Sequence, residues 1–312
     1  MGLGKLWLWL NVTFGHGLRV AFWRDVRRPQ ILSTLPVRGT TDRACEVHVL
    51  TCASDWLNTI WALKSLYHFS RRRYALCIHE DGSLGHEELS ALAEHFPEAR
   101  IVDRPTADQR LDRVLRNRPQ SARFRATNPL ALKVFDFSVF LEAERLLLLD
   151  SDVLFFAEPT ELLRRLEDQS YRLNSLNRDW GYGYSVAAEQ LRAVVPKGFQ
   201  EGVNSGLGVI HRASIRLDAI EEWLTMPEIW SHDHRIEQTL IALYSCLFGH
   251  EFLPREYDVH LGPFSPTLPC RHFTGPIRHM MYSDGMRVLA GKGLLKHDSQ
   301  LSPATSPRAG GT

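Results

Sequence analysis

Cysteine is scarce in this chain of 312 residues, and its count of five is odd. Cys45, Cys52, Cys77, Cys246 and Cys270 are widely spaced and mostly set among apolar neighbours, which argues against both a disulfide framework and a zinc site. A reducing, cytoplasmic setting is the expectation. Net charge is nearly absent too: 37 Lys and Arg face 36 Asp and Glu, leaving +1. No global field draws in nucleic acid or an anionic membrane, so an anionic ligand has to be met locally. Also missing is any apolar run of the length a membrane span requires. The aromatic N-terminal stretch is broken by Asn11, His16, Arg19 and several glycines, and shows no apolar region followed by a small-residue cleavage site.

What is present is 44% hydrophobic and 23% charged, enough for a well-buried core. Residues 1–41 read as an aromatic and basic arm carrying Lys5, Trp7, Trp9, Phe14, Arg19, Phe22, Trp23, Arg24, Arg27 and Arg28. Such a segment either packs against the domain or a second copy of the chain, or lies peripherally on a membrane surface. Residues 290–312, rich in Ser, Pro and Gly, read as a flexible tail. No internal repeat or linker divides residues 42–289, which are expected to form one domain.

Within that region the pattern alternates. "EVHVLTCA" is a β-rich run, and Trp56, Ile60, Leu63 and Tyr67 then recur at helical spacing behind a capping Ser54 or Asp55. "YALCIHEDG", "GHEELSALAEHF" and "ARIVD" repeat strand, helix and strand. This order predicts an α/β domain with a mostly parallel, Rossmann-like central sheet. Residues 105–128 read as a solvated basic helix and loop, and "PLALKVFDFSVFLEA" as a helix. "NSGLGVIH" reads as a strand, "ASIRLDAIEEWL" and "IEQTLIALYSCLF" as helices, and "HEFLPREYDVHL" and "CRHFTG" as short late strands.

The stretch "RLLLLDSDVLFF" carries the chemistry. Leu146 to Leu149 lack polar alternation, as in a strand buried on both faces, so Asp150 falls at the carboxyl end where open α/β sheets bind ligands. In an extended backbone Asp150 and Asp152 project to one side and converge on one hard cation, Mn²⁺ or Mg²⁺, which keeps positions open for phosphate oxygens. The plainer reading is a strand end where two carboxylates meet water.

"LLLLDSDVLF", "VNSGLGVIH", "EQTLIALY" and "HFTGPIRH" together resemble, in order and spacing, glycosyltransferase family 8, the group that contains glycogenin and bacterial lipopolysaccharide galactosyl- and glucosyltransferases. The resemblance spans about residues 47–278. It implies a GT-A fold, a nucleotide-sugar donor such as a UDP-hexose, a Mn²⁺-type ion and retention of anomeric configuration. It also implies that Asp150, Asp152 and His272 hold the ion, with Ser151 between the aspartates. Gly275 and Arg278 would grip the diphosphate, Arg278 replacing the usual Lys, and Lys133 would point toward the donor. Thr51, Asp55 and Trp56 fall where relatives hold the nucleobase and ribose. Asn204, Ser205 and Gly206 lie beside the donor sugar. Glu237 and Gln238 stand at the catalytic "DQ" of the family, with Glu in place of Asp. Glu237 has a plainer use in favouring the helix dipole in the first turn.

"HDH" at His232 to His234 resembles a ligand set, although Asp233 as a helix cap is the simpler reading. The aromatic loop from Asn177 to Ser185 is a candidate surface for a sugar acceptor. The expected reaction is hexose transfer to an acceptor hydroxyl on a carbohydrate, lipid-linked or protein molecule. Two rivals share the D-x-D: a haloacid-dehalogenase-type phosphatase, for which no downstream acidic element is seen, and a non-catalytic sugar-binding or scaffold protein of the same fold.

Overall fold

The computed structural model describes residues 14–39, 42–195 and 198–296; the expectations for Lys5, Trp7, Trp9 and the end of the tail lie outside them. Helix α1 (Leu18–Phe22) continues into a π turn (Trp23–Arg27) and a 3-10 turn (Arg28–Ser33). This arm packs on the domain through buried Val20, Ala21 and Ile31. The Trp61 indole donates to the Arg28 carbonyl at 3.0 Å, and the Lys64 ammonium donates to Thr34 Oγ1 at 2.5 Å and the Leu35 carbonyl at 2.8 Å.

The domain follows as β1 (Asp42–Thr51), α2 (Trp56–Ser70), β2 (Tyr74–Glu80), α3 (His86–His95) and β3 (Arg100–Val102), then α4 (Arg104–Val114), α5 (Pro119–Thr127), α6 (Ala131–Phe140), β4 (Arg145–Leu149) and β5 (Val153–Phe155). Helix α7 (Thr160–Glu167), β6 (Ser175–Arg178), α8 (Ala188–Val194), β7 (Val203–His211), α9 (Leu217–Trp223), α10 (Asp233–Phe248) and β8 (Cys270–His272) follow, and helical turns over Gly275–Ile277, Arg278–Met280, Met281–Met286 and Arg287–Gly291 come after them. The start of the expected tail packs on the domain, with Leu294 buried and Lys292 Nζ donating to the Phe156 carbonyl at 2.7 Å. The main sheet runs β3-β2-β1-β4-β7-β6. β1 pairs in parallel with β2 and β4, as does β2 with β3, while β7 is antiparallel to both its neighbours. It is an α/β domain whose sheet is mostly parallel.

Alternation along β4 divides the core. Leu147 and Leu149 join Val47 and Val49 in one cluster with the face of α2, whereas Leu146 and Leu148 pack on the other side with Phe135, Phe137 and Leu240 from α6 and α10. Every residue of β4 is buried, which explains the absence of polar alternation in its sequence. The chain order turns around between β1 and β4, so the carboxyl ends of these strands flank a crevice where ligands bind in open sheets.

Three expectations are corrected. "HEFLPREYDVHL" forms no strand: Pro254 lacks an N–H, a 3-10 turn occupies Arg255–Tyr257, and the segment meets the β6 edge through an isolated bridge of His250 with Asn174 and scattered bonds from Glu251, Leu253 and Val259. Residues 105–128 form two helices, and their basic side chains are not merely solvated. Arg125 is buried and forks onto Asp136 with two bonds of 2.8 Å, the bidentate geometry that a guanidinium favours. Asp233 is the first residue of α10, with His232 at the cap position.

Buried imidazoles make the fold acid-sensitive. Burial lowers His95 to about 4, with Lys64 adding to the effect, and lowers His250 to about 4. The unfolded chain takes a proton on each near its ordinary value while the folded chain refuses it until about pH 4. Their contribution is therefore complete above the ordinary value and lost as pH falls toward the depressed one. Each such group steepens the loss by about 1.4 kcal/mol per pH unit inside that window. His95→Gln is expected to flatten the fall in urea midpoint between about pH 6.5 and 5; a slope equal to that of the parent chain would contradict burial of a neutral His95.

Candidate active site

The crevice at the ends of β1 and β4 has a volume of about 180 Å³ and is lined by Thr51, Asp55, Lys133, Asp150, Asp152 and Arg278, among others. Local pairing explains how residues so far apart in sequence meet there. β5 and β8 form a separate antiparallel ribbon in which Val153 stands opposite His272, and the Phe273 N–H donates to the Asp152 carbonyl at 2.9 Å. That ribbon delivers the imidazole: His272 Nε2 lies 3.0 Å from Asp152 Oδ1 and 3.8 Å from Asp150 Oδ2.

Strand β7 orients the imidazole. His272 Nδ1 is 3.0 Å from Asn204 Oδ1, which also accepts from the Gly206 N–H at 2.9 Å. An Nδ1–H donating to that oxygen leaves Nε2 facing the aspartates, the tautomer a metal ligand needs. Gly206 is required by the close approach: a Cβ there would overlap the His272 ring. Its carbonyl also accepts from the Asp150 N–H at 2.8 Å, fixing the end of β4.

Three cationic side chains compensate the carboxylates. Lys133 Nζ sits 2.8 Å from Asp150 Oδ1 and 3.0 Å from Glu237 Oε1, and donates to the Ser205 carbonyl at 2.8 Å. Arg278 bridges Asp152 and Asp55 with bonds of 2.7 and 2.8 Å. Burial alone would lower Lys133 and Arg278, but the neighbouring carboxylates raise both. Burial would likewise lower His272, yet Asp152 raises it, with Asp150 helping. Asp152 is lowered in turn: burial is outweighed by His272, Arg278 and Lys133. Two carboxylates and one imidazole, with ligand atoms within 4.8 Å of one another, suit an oxygen-seeking divalent ion that tolerates nitrogen.

The remaining sequence candidates take different places. Glu237 is buried within α10, beyond its first turn, where Ser205 Oγ donates to it at 2.9 Å. Burial raises its pKa although Lys133 opposes this. A simple dipole role in the first turn is thereby excluded. Asp55 occupies the cap position of α2 without making a capping bond; its carboxylate accepts from Arg278, Asn58 and Ser151 instead. Thr51 is buried, its hydroxyl bonded to Thr59. Trp56, the first residue of α2, packs partly buried against the core and is not among the residues that line the crevice. Gly275 opens the 3-10 turn that leads to Arg278.

Asp179 was not singled out by the sequence. Its Oδ2 accepts from the amides of Gln238 at 3.0 Å and Asn204 at 3.2 Å, linking the aromatic loop to the His272 support. A lone acid in a loop carries no periodic signal that could have revealed it. In the same loop Trp180 is 57% exposed and Tyr182 42%, so their faces are open to a ligand. A second group of ligating residues, His48, Cys77 and His79, lies earlier on β1 and β2, wholly buried beneath Phe137. His48 Nδ1 is 3.0 Å from His79 Nε2, Cys77 Sγ is 3.3 Å from that same nitrogen, and Glu46 meets His48 Nε2 at 3.2 Å. These groups serve one another inside the sheet.

No protein-family model matches the chain, and no curated protein matches its sequence. Solved structures do match its fold. The galactosyltransferase LgtC in complex with donor and acceptor sugar analogs aligns with a TM-score of 0.54 at 14% identity, covering 84% of this chain and 98% of that one. An active-site mutant of LgtC gives 0.55 at 13% identity, covering 79% and 95%. The bifunctional glycosyltransferase WbbM in its apo form gives 0.50 at 15% identity over 77% of this chain and 47% of that one. The fold is therefore that of the GT-A glycosyltransferases.

Gly206→Ala is expected to displace the His272 ring and weaken Mn²⁺ binding about tenfold or more, the usual effect of disturbing a ligand's support. Titration calorimetry on the folded variant checks this, and an unchanged affinity would contradict the support that β7 gives to His272.

Proposed function

We propose that this protein is a divalent-metal-dependent glycosyltransferase that moves a hexose from a nucleotide-diphosphate sugar, a UDP-hexose, to an acceptor hydroxyl with retention of configuration. One observation carries this reading: Asp150, Asp152 and a correctly oriented His272 converge at the switch point of a GT-A sheet. The family resemblance of the motifs supplies the donor class and the stereochemistry.

Asp150, Asp152 and His272 Nε2 would hold Mn²⁺ or Mg²⁺, which when bound supplies Lewis-acid neutralisation of a diphosphate leaving group. The chain's own part is electrostatic. Breaking the anomeric C–O bond places negative charge on the departing diphosphate, and Arg278, already in the crevice, can exchange a carboxylate for those oxygens as a fork of donors. Lys133 has two carboxylates and a carbonyl around its ammonium. Its role is to hold Asp150 and Glu237 in place, so Glu237 acts on the site through Lys133. Gln238 gives its amide hydrogens to Asp179 and the Gly183 carbonyl, which directs its own oxygen toward the Asn204 and Ser205 side and suits it to the donor sugar. Gly275 sets the turn before Arg278, and Thr51, Asp55, Ser151 and Trp56 remain the side toward which the nucleoside would extend. The exposed faces of Trp180 and Tyr182 offer an acceptor surface.

The phosphatase reading finds nothing in its favour among the matched structures. A scaffold that binds donor without turnover is separated by assay. Nucleotide release from UDP-hexoses is expected with Mn²⁺ and not with a chelator, and Asp152→Asn is expected to lower it by about 10²-fold or more while the protein stays folded. Unaltered turnover in that variant would remove the metal-site reading. Donor binding without any release would leave the scaffold, and phosphate release from simple monoesters would bring back the phosphatase.

A further inference from the structure

The arm that packs on the domain turns its other face outward. Leu18, Phe22 and Val26 follow one another at intervals of four, which stacks them on one side of the α1 and π turns, and they are 75%, 50% and 53% exposed. Their neighbours at intermediate positions, Val20 and Ala21, are buried, so the exposed stripe is not left over from a helix lacking a core side. Isolated exposed apolar residues need no explanation, but an aligned leucine, phenylalanine and valine beside arginines do.

The charge around the stripe says what it meets. Residues 1–39 hold six Lys and Arg against one acid, Asp25, whereas the whole chain stands at +1, so the remainder carries a net −4. Asp25 is already paired with Arg24 at 2.7 Å. Arg19, beside Leu18, is 66% exposed and, among the described residues, pairs at a distance with Asp284 at 3.8 Å. Arg27 lies over the Trp23 ring with its guanidinium 5.2 Å from the centroid. A hydrophobic stripe edged by arginines on an otherwise acidic molecule is complementary to an anionic lipid surface, into which the apolar side chains insert while the guanidinium groups stay at the headgroups. A second copy of the chain fits less well, because an isologous contact through this stripe would set the arginine rim against itself.

The orientation follows from the contacts of the same arm. His16 stacks on His279 with ring centroids 4.4 Å apart, next to Arg278. Arg28 Nη1 donates to Asn58 Oδ1 at 3.2 Å, and Asn58 in turn donates to Asp55. The stripe thus belongs to the element braced against the Arg278 and Asp55 wall of the crevice. Among the described residues no helix is long and apolar enough to cross a membrane, and lying on the surface is the mode that this geometry provides.

We infer that the arm, through Leu18, Phe22 and Val26 with Arg19 and Arg27, docks the protein peripherally on an anionic phospholipid bilayer. The inference does not depend on the proposed catalytic activity. The full-length protein is to be mixed with sucrose-loaded vesicles of phosphatidylcholine alone or with about one third phosphatidylglycerol, since the pull of an anionic surface on basic residues grows with its charge. The expected result is binding to the anionic vesicles at least about tenfold stronger than to neutral ones and weakened by salt, because such attraction is screened. The double variant Leu18→Glu with Phe22→Glu, both at exposed positions, should lose at least about tenfold of that binding while keeping its thermal unfolding and its donor hydrolysis. Arg19→Glu should lose the preference for anionic lipid and keep the fold.

Equal binding to the two vesicle types would overturn the inference, as would binding undiminished in the double variant, which would assign any attachment to residues 1–13. It would equally fail if neither vesicle bound and light scattering showed a dimer that the double variant dissociates, since the stripe would then be an interface between copies. Loss of donor hydrolysis in the parent protein bears on the catalytic reading and leaves docking untouched.

Discussion

Two carboxylates at the end of a fully buried strand impose the constraint around which the rest of this molecule is arranged. An ionised group taken from water into such a place costs several kcal/mol unless opposite charge and hydrogen bonds replace the solvent. Here the replacements come from three separate parts of the chain: Lys133 on α6, His272 on β8 and Arg278 just after it. The β5–β8 ribbon and the turn behind it are therefore tied to the central sheet by electrostatics as well as by packing. The same charges would suit an anion: Arg278 could turn its guanidinium to a diphosphate while Asp150, Asp152 and His272 would hold a divalent ion to neutralise it.

That arrangement also explains what could be read from the sequence. The apolar run of β4 and the placement of Asp150 and Asp152 were legible because burial on both faces removes polar alternation, and a strand end is where open sheets present ligands. His272 was reachable only through the likeness of "HFTG" to a known motif, since its partnership with Asp152 depends on a β5–β8 pairing that no local pattern encodes. Asp179 was invisible for a related reason: its bonds to Asn204 and Gln238 join a loop, a strand and a helix that are distant in sequence. The expected strand after His250 failed because Pro254 and the 3-10 turn at Arg255–Tyr257 interrupt its pairing with β6. Arg125 looked like a solvated charge because its partner, Asp136, lies on the next helix and is itself buried.

The arm presents two different faces, one packed on the domain and one exposed. Its inward face contributes Val20, Ala21 and Ile31 to burial, and hydrogen bonds from Trp61 to the Arg28 carbonyl and from Lys64 to the Leu35 carbonyl hold its backbone. Its outward face keeps an apolar stripe in water. A chain of contacts from Arg28 through Asn58 to Asp55 runs from this segment to the wall of the crevice. The exposed stripe and the wall of the crevice are thus braced by common residues.

The most direct measurement is anomalous diffraction at the manganese edge from crystals grown with Mn²⁺ and UDP. The account predicts one strong peak among the Asp150 and Asp152 carboxylates and His272 Nε2, with the diphosphate against Arg278 and the Nδ1 of His272 still directed at Asn204. A peak elsewhere, or diphosphate bound with those carboxylates still paired to Lys133 and Arg278 and no metal between them, would contradict it.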